Sequence, residues 1–208
     1  MRPESLIFDI DGTLWDSRVI IAEGYNTVLR QEGYPELCVD AEFLKTVFGK
    51  TMADIADIML APVPQPERYA LMVRCMAAGD ARLQSDPCRI GYPGVAETLE
   101  ELSRRYRLFI VSNSQLGYPE LTMEKLGITR LFEGHLCFGN TGTDKGTTIW
   151  LLMEKYGIAS AAYIGDTQGD YEAAQKAGVP FVWVSYGFGV PEGYALRADS
   201  FPELAQIF

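Results

Sequence analysis

Two aspartates one residue apart, Asp9 and Asp11, follow the apolar run SLIF (5–8) at the point where the chain must turn in SLIFDIDGTLWDS (5–17). Alternate residues of a strand face the same way, so both carboxylates are expected to project together from the strand's carboxyl end. Like charges so placed repel by about 1 kcal/mol even at water's dielectric, and by more when partly desolvated. Either a cation joins them or one pKa rises. Both outcomes are chemically useful: an ionised, metal-bound carboxylate can attack an electrophile, and a neighbour with a raised pKa can lend a proton to a leaving group. Two further carboxylates occur in YIGDTQGDYEAA (163–174), Asp166 at the end of a strand and Asp170 four residues later, near the start of a helix. Three or four aspartates gathered by the carboxyl ends of parallel strands make a hard-oxygen donor set that suits Mg²⁺. To hold a phosphate, such a pocket also needs fixed positive charge and neutral donors. Lys145 in GTDKGTT (142–148), and Ser112 with Asn113 at the end of RLFIVSN (107–113), can supply them.

These residues can act together only if the chain folds their neighbours into one sheet. SLIF (5–8), RLFIVSN (107–113), AAYIGDT (161–167) and FVWVSYG (181–187) are short apolar runs bounded by Gly, Asn, Asp or charge. They read as strands buried on both faces, the parallel-sheet kind. Between them the sequence predicts helices over 94–106, 118–128, 146–158 and 170–179. That alternation implies an α/β fold with right-handed crossovers and a doubly wound, Rossmann-like parallel sheet. In such sheets ligands bind at the carboxyl ends of the strands.

Residues 17–86 have another texture, with no convincing strand. Ile21, Tyr25 and Val28, then Ile55, Ile58 and Met59, then Tyr69, Met72, Val73 and Met76 repeat at helical spacing, each set predicting one apolar stripe of core. APVPQPE (61–67) breaks the helices with three prolines. An all-helical subdomain inserted at 17–86 is therefore expected, with the sheet resuming near DPCRIGYPG (86–94), so that 1–16 and 87–208 form the core.

Composition bounds the partners. With 48% hydrophobic and 22% charged residues the chain is globular in type. Its formal charge of −10 argues against a nucleic-acid partner, which needs clustered Lys and Arg. A small phosphorylated metabolite remains compatible, since it needs only a few local cations or a metal. Cys38, Cys75, Cys88 and Cys137 form no CxxC pair, so neither a zinc site nor a disulfide framework is expected, and a reducing cytoplasm fits best. MRPES at the N-terminus has no apolar signal core and no run approaches bilayer-spanning length, so no membrane partner is expected. The oligomeric expectation is a monomer or homodimer.

The ordered set DIDGT (9–13), a strand-terminal Ser112, Lys145 and GDTQGD (165–170) resembles the four motifs of the haloacid dehalogenase-like phosphohydrolases. The resemblance spans the chain from residue 5 to about 190. The helical insertion resembles that family's small α-helical cap, as in phosphoglycolate phosphatases and β-phosphoglucomutases, and YGFG (186–189) also looks like that branch. The resemblance implies a Mg²⁺-dependent phosphatase acting on a small phosphomonoester. In it, Asp9 is the nucleophile that forms an aspartyl phosphate, and Asp11 protonates the leaving oxygen and then activates water. It implies that Ser112 and Lys145 hold the phosphoryl oxygens, with Lys145 also offsetting the charge of Asp9; Asn113, beside Ser112, stays a substrate-binding candidate by position alone. It further implies that Mg²⁺ is ligated by Asp9, the backbone carbonyl of Asp11 and Asp166, with Asp170 in support. A sugar phosphomutase is the alternative on the same architecture, and a catalytically silent binding protein the alternative of another class. Two positions depart from the pattern: Gly146 stands where the family often has Pro, and Gly169 precedes the last Asp of the fourth motif. Because Asp11 is present, a true dehalogenase is disfavoured. Lys50, with Thr51 beside it in VFGKTMAD (47–54), resembles the position of a specificity loop. Trp15 and Asp16 are expected at the hinge, with Trp15 walling the pocket. His135 is expected to be structural or at the surface rather than catalytic.

Overall fold

The structure, a computed structural model, describes residues 3–87 and 90–208; Met1, Arg2, Cys88 and Arg89 lie outside the described residues. The chain opens with β1 (Ser5–Phe8), then four helices, α1 (Arg18–Gln31), α2 (Ala41–Val47), α3 (Met52–Met59) and α4 (Glu67–Ser85). It continues through α5 (Val95–Ser103), β2 (Arg107–Ser112), α6 (Tyr118–Leu126), β3 (Gly134–Cys137), α7 (Phe138–Thr141) and α8 (Lys145–Tyr156). The remainder is β4 (Ala161–Gly165), α9 (Gln168–Ala177), β5 (Phe181–Val184), β6 (Leu196–Ala198) and α10 (Leu204–Ile207). Two compact units result: Met1–Asp16 with Gly91–Phe208, and Ser17–Ile90.

In the first unit six strands pair in parallel in the order β3-β2-β1-β4-β5-β6. All residues of β1, β4 and β5 are buried, because helices cover both faces and leave no solvated side to alternate with. One face packs Ile7, Phe109, Val111, Tyr163 and Phe181 against Ile149 and Leu152 of α8 and Ala173 and Ala174 of α9. Strand order reverses between β1 and β4, whose register pairs Phe8 with Ile164. That is the switch point where open α/β sheets place ligands. Asp9 follows β1 there, and Asp166 follows β4.

The α/β reading holds, but two strands, β3 and β6, were not predicted. Both are edge strands, so neither needs a continuous apolar run: β3 reads GHLC and is buried only at Cys137, and β6 has three residues of which Leu196 and Arg197 are exposed. Among the described residues of 86–94 no sheet strand begins. The first unit re-enters at Gly91 through a single bridge to Trp15, and the next strand starts only at Arg107.

The second unit is helical among its described residues and continues to Ile90, four residues past the expected 86. Ile21, Tyr25, Val28, Ile55, Met59, Met72 and Met76 are buried as predicted, whereas Ile58, Tyr69 and Val73 are exposed. For Tyr69 and Val73 the reason lies at Gly24 of α1. A Cβ there would stand 2.7 Å from the Ala78 carbonyl and from Gly79, so α1 and α4 touch backbone to backbone. This turns the contact line of α4 onto Met72, Cys75, Met76, Gly79 and Leu83, and Tyr69 and Val73 fall to its flank. Among the described residues no helix is long and apolar enough to cross a membrane, and Cys38, Cys75 and Cys137 are free thiols.

Candidate active site

Asp9 and Asp166 stand where buried strands stop, and Asp170 where the next helix starts. Asp9 directly follows β1, and its N–H donates to the Ile164 carbonyl at 2.9 Å, which ties the end of β1 to β4. Asp166 follows Gly165 at the end of β4, and Asp170 lies in the first turn of α9. The carboxylates of Asp9, Asp166 and Asp170 each offer an oxygen within 4.8 Å of the others, and all three residues are buried. Glycine makes this approach possible. At Gly12, in the left-handed region at φ 81°, a Cβ would lie 2.1 Å from Asp166 Oδ2, and at Gly187 it would lie 2.3 Å from Asp166 Cβ.

Lys145, the first residue of α8, is buried between two of these acids: its Nζ is 3.0 Å from Asp9 Oδ1 and 2.7 Å from Asp170 Oδ1. Asp144 caps α8 by accepting from the Thr147 N–H, so this helix starts without the proline. Gly146 has its own structural reason, since a Cβ there would meet Lys176 and the Ala173 carbonyl at 2.9 and 3.0 Å, where α9 crosses α8.

Electrostatics separates the three acids. Burial, opposed by Lys145 and reinforced by Asp170, raises Asp9 to about 7. Burial with the charges of Asp170 and Asp9 drives Asp166 well above the carboxylate range. Asp170 is buried as well, yet the Lys145 charge and the hydrogen bonds from Lys145 and Thr167 hold it below its ordinary value. Burial favours the neutral Lys145 amine, but Asp170 and Asp9 outweigh it and keep the ammonium above its usual range.

Asp170 is the most heavily bonded. Its Oδ1 accepts from Lys145 and from the Tyr163 hydroxyl at 3.3 Å. Its Oδ2 accepts from the N–H groups of Asp166 and Thr167 and from the Thr167 hydroxyl. It thus completes a capping box with Thr167 while facing the cluster. Asp166 accepts from the Phe188 N–H at 2.6 Å and the Thr13 hydroxyl at 3.4 Å, and its backbone carbonyl accepts from Trp183 Nε1 at 3.2 Å.

Asp11 has different company. Its Oδ1 accepts from Trp15 Nε1 at 3.0 Å and from the Tyr118 hydroxyl at 2.9 Å. Trp15, expected to wall a pocket, is instead fully buried beside it. Ser112 is the last residue of β2 and buried; its hydroxyl accepts from the Ser114 N–H at 3.2 Å, and Asn113 follows it. Lys50 is exposed on the turn between α2 and α3 of the helical unit. His135 lies on β3 with Nε2 3.6 Å from Glu120.

Sequence reasoning passed over Tyr118, Tyr163, Thr13, Trp183 and Phe188. Thr13 sits in the DIDGT string and Phe188 in YGFG, so both lay within quoted motifs. Phe188 contributes through its backbone, which carries no side-chain signal, and Tyr163 looks like any apolar strand residue.

A family model described as haloacid dehalogenase-like hydrolase matches residues 6–184. The chain is 26% identical over 197 residues to a phosphoglycolate phosphatase of Agrobacterium fabrum, covering 88% of this chain and 80% of that one. It is 28% identical over 188 residues to a phosphoglycolate phosphatase of Rhodobacter capsulatus, covering 88% and 85%. A crystal structure of a predicted phosphoglycolate phosphatase from Haemophilus somnus superposes with a TM-score of 0.86 at 23% identity, covering 100% of this chain and 98% of that one, a likeness of fold.

Proposed function

Because the chain belongs to the haloacid dehalogenase-like hydrolases, we propose that it is a Mg²⁺-dependent phosphatase that hydrolyses a small phosphomonoester through an aspartyl phosphate on Asp9. The observation that carries this reading is the gathering of Asp9, Asp166 and Asp170 within 4.8 Å around a buried Lys145. The relatives named phosphoglycolate phosphatases make a phosphoglycolate-like ester the first substrate to try, with sugar phosphates next.

The residues fit a divalent cation. Three buried carboxylates offer only hard oxygens, and one ammonium does not offset three negative charges: Asp9 and Asp166 are pushed upward by burial and by their neighbours. Asp9 and Asp166, with the backbone carbonyl of Asp11, would hold Mg²⁺, and Asp170, whose oxygens already accept from Lys145, Tyr163 and Thr167, would support them from behind. When bound, the ion supplies positive charge against the anions that meet in phosphoryl transfer.

The protein's own groups then divide the work. Lys145, 3.0 Å from Asp9 Oδ1, opposes the burial that favours the neutral acid and keeps that carboxyl in place. An Asp9 oxygen attacks phosphorus, the bond to the leaving oxygen breaks, and Asp11 gives that oxygen its proton. Asp11, now ionised, takes a proton from water; the resulting hydroxide attacks phosphorus, the Asp9–phosphorus bond breaks, and inorganic phosphate leaves. Ser112 and Asn113, at the carboxyl end of β2, bind phosphoryl oxygens, and Lys50 is the candidate for recognising the rest of the substrate. The test is phosphate release across a panel of phosphorylated metabolites with Mg²⁺ and with EDTA. Release that needs Mg²⁺ and is lost in Asp9→Asn is expected, and unchanged release in the pure variant removes Asp9 from its role. Incubation with a glucose 1-phosphate should yield free phosphate rather than the 6-phosphate.

A further inference from the structure

We propose that Trp15 and Tyr118 form a neutral seat that turns the Asp11 carboxyl so that Oδ1 is its permanent acceptor and Oδ2 the oxygen that carries and transfers the proton. This rests on the acid–base reading of Asp11. The two donors reach the same oxygen from distant parts of the first unit: Trp15 Nε1 at 3.0 Å from the turn after β1, and the Tyr118 hydroxyl at 2.9 Å from the first residue of α6. Indole nitrogen can only donate, so the Trp15 bond is made to a lone pair of Oδ1 whatever the protonation of Asp11. A second donor on that oxygen occupies its other lone-pair direction; a proton placed on Oδ1 would have to turn the Tyr118 hydroxyl into an acceptor and would then point at Tyr118 rather than at a leaving oxygen. The exchangeable proton therefore belongs on Oδ2.

The donors are themselves fixed. Trp15 and Tyr118 are both buried, and their rings meet edge to face at 5.7 Å and 68°, so neither can swing without unpacking the other. The Trp15 carbonyl accepts from the Gly12 N–H at 2.9 Å, which closes the turn that carries Asp11. The Tyr118 carbonyl accepts from the Thr122 hydroxyl at 2.9 Å on α6. Fixing the rotation of a proton donor matters because proton transfer demands a short, aligned approach to the leaving oxygen.

A purely structural role, in which Asp11 merely satisfies two buried donors, predicts a different result. In the full chain with Mg²⁺, kcat/KM reports steps through departure of the leaving group. An alkoxide needs Asp11's proton to leave, whereas 4-nitrophenolate needs little help. Tyr118→Phe, which removes only the hydroxyl, should lower kcat/KM for an alkyl ester such as phosphoglycolate by about 10- to 100-fold and for 4-nitrophenyl phosphate by no more than about threefold. Trp15→Phe should show the same selectivity, and Asp11→Asn a larger one, about 10²- to 10⁴-fold. Equal losses on both esters in Tyr118→Phe, or no loss on either, while Asp11→Asn remains selective, would overturn the seat alone. Equal losses in Asp11→Asn would overturn the acid role and the seat with it.

Discussion

Two carboxylates from one five-residue motif, Asp9 and Asp11, are held in opposite ways. Asp9 is buried with two other acids and is stabilised by a full charge, Lys145, at 3.0 Å. Asp11 is half-buried and is held by two neutral donors from aromatic rings. A carboxylate that must stay ionised to attack is well served by an ammonium. One that must gain and lose a proton is better served by neutral donors, which orient it without adding a full positive charge that resists protonation. In the proposed reaction the same motif supplies two chemistries because tertiary neighbours, not the aspartates themselves, differ.

The comparison can be broken at its strongest point first. Asp9→Asn should lower turnover of 4-nitrophenyl phosphate by about 10⁴-fold or more, read as released nitrophenolate, because an amide replaces the carboxylate proposed to take the phosphoryl group. Lys145→Met should lower activity by about 10²- to 10³-fold. It should also destabilise the fold by about 3–5 kcal/mol in urea unfolding, since it leaves Asp9 and Asp170 buried without their cation. On the other side, Asp11→Asn and Tyr118→Phe should be non-additive: with the carboxylate gone, the hydroxyl has nothing to orient, and the double variant should match Asp11→Asn within about twofold in kcat/KM. The smallest effect lies outside both sites. Asp144→Ala should cost about 1 kcal/mol through the lost cap of α8. The hydrogen bond from Lys176 holds Asp144 down at about 2 from an ordinary 3.8, so this difference should be complete above about pH 4 and fade as the pH falls through 2.

How far the sequence speaks depends on burial. Central strands declared themselves because both faces are covered, which forces runs such as SLIF and AAYIG. The edge strands β3 and β6 did not, since one side of each lacks a partner strand and tolerates His135 and Arg197. In the helical unit, periodicity marks an apolar face but not which part of it meets a neighbour. Gly24 and Gly79 decide that, and they leave Tyr69 and Val73 exposed. Within the site, charged residues at fixed spacings were legible, while Tyr118 was not, because it lies 107 residues from Asp11.

From the order of residues alone come the family motifs, the alternation that builds a parallel sheet, and the aspartates and lysine placed at strand and helix ends. Only the folded chain decides which partner each carboxylate receives, because those partners arrive through sheet register, glycine-permitted close approach and aromatic packing. A one-dimensional pattern lists the charges; burial and distance, which exist only in three dimensions, determine what each charge is able to do.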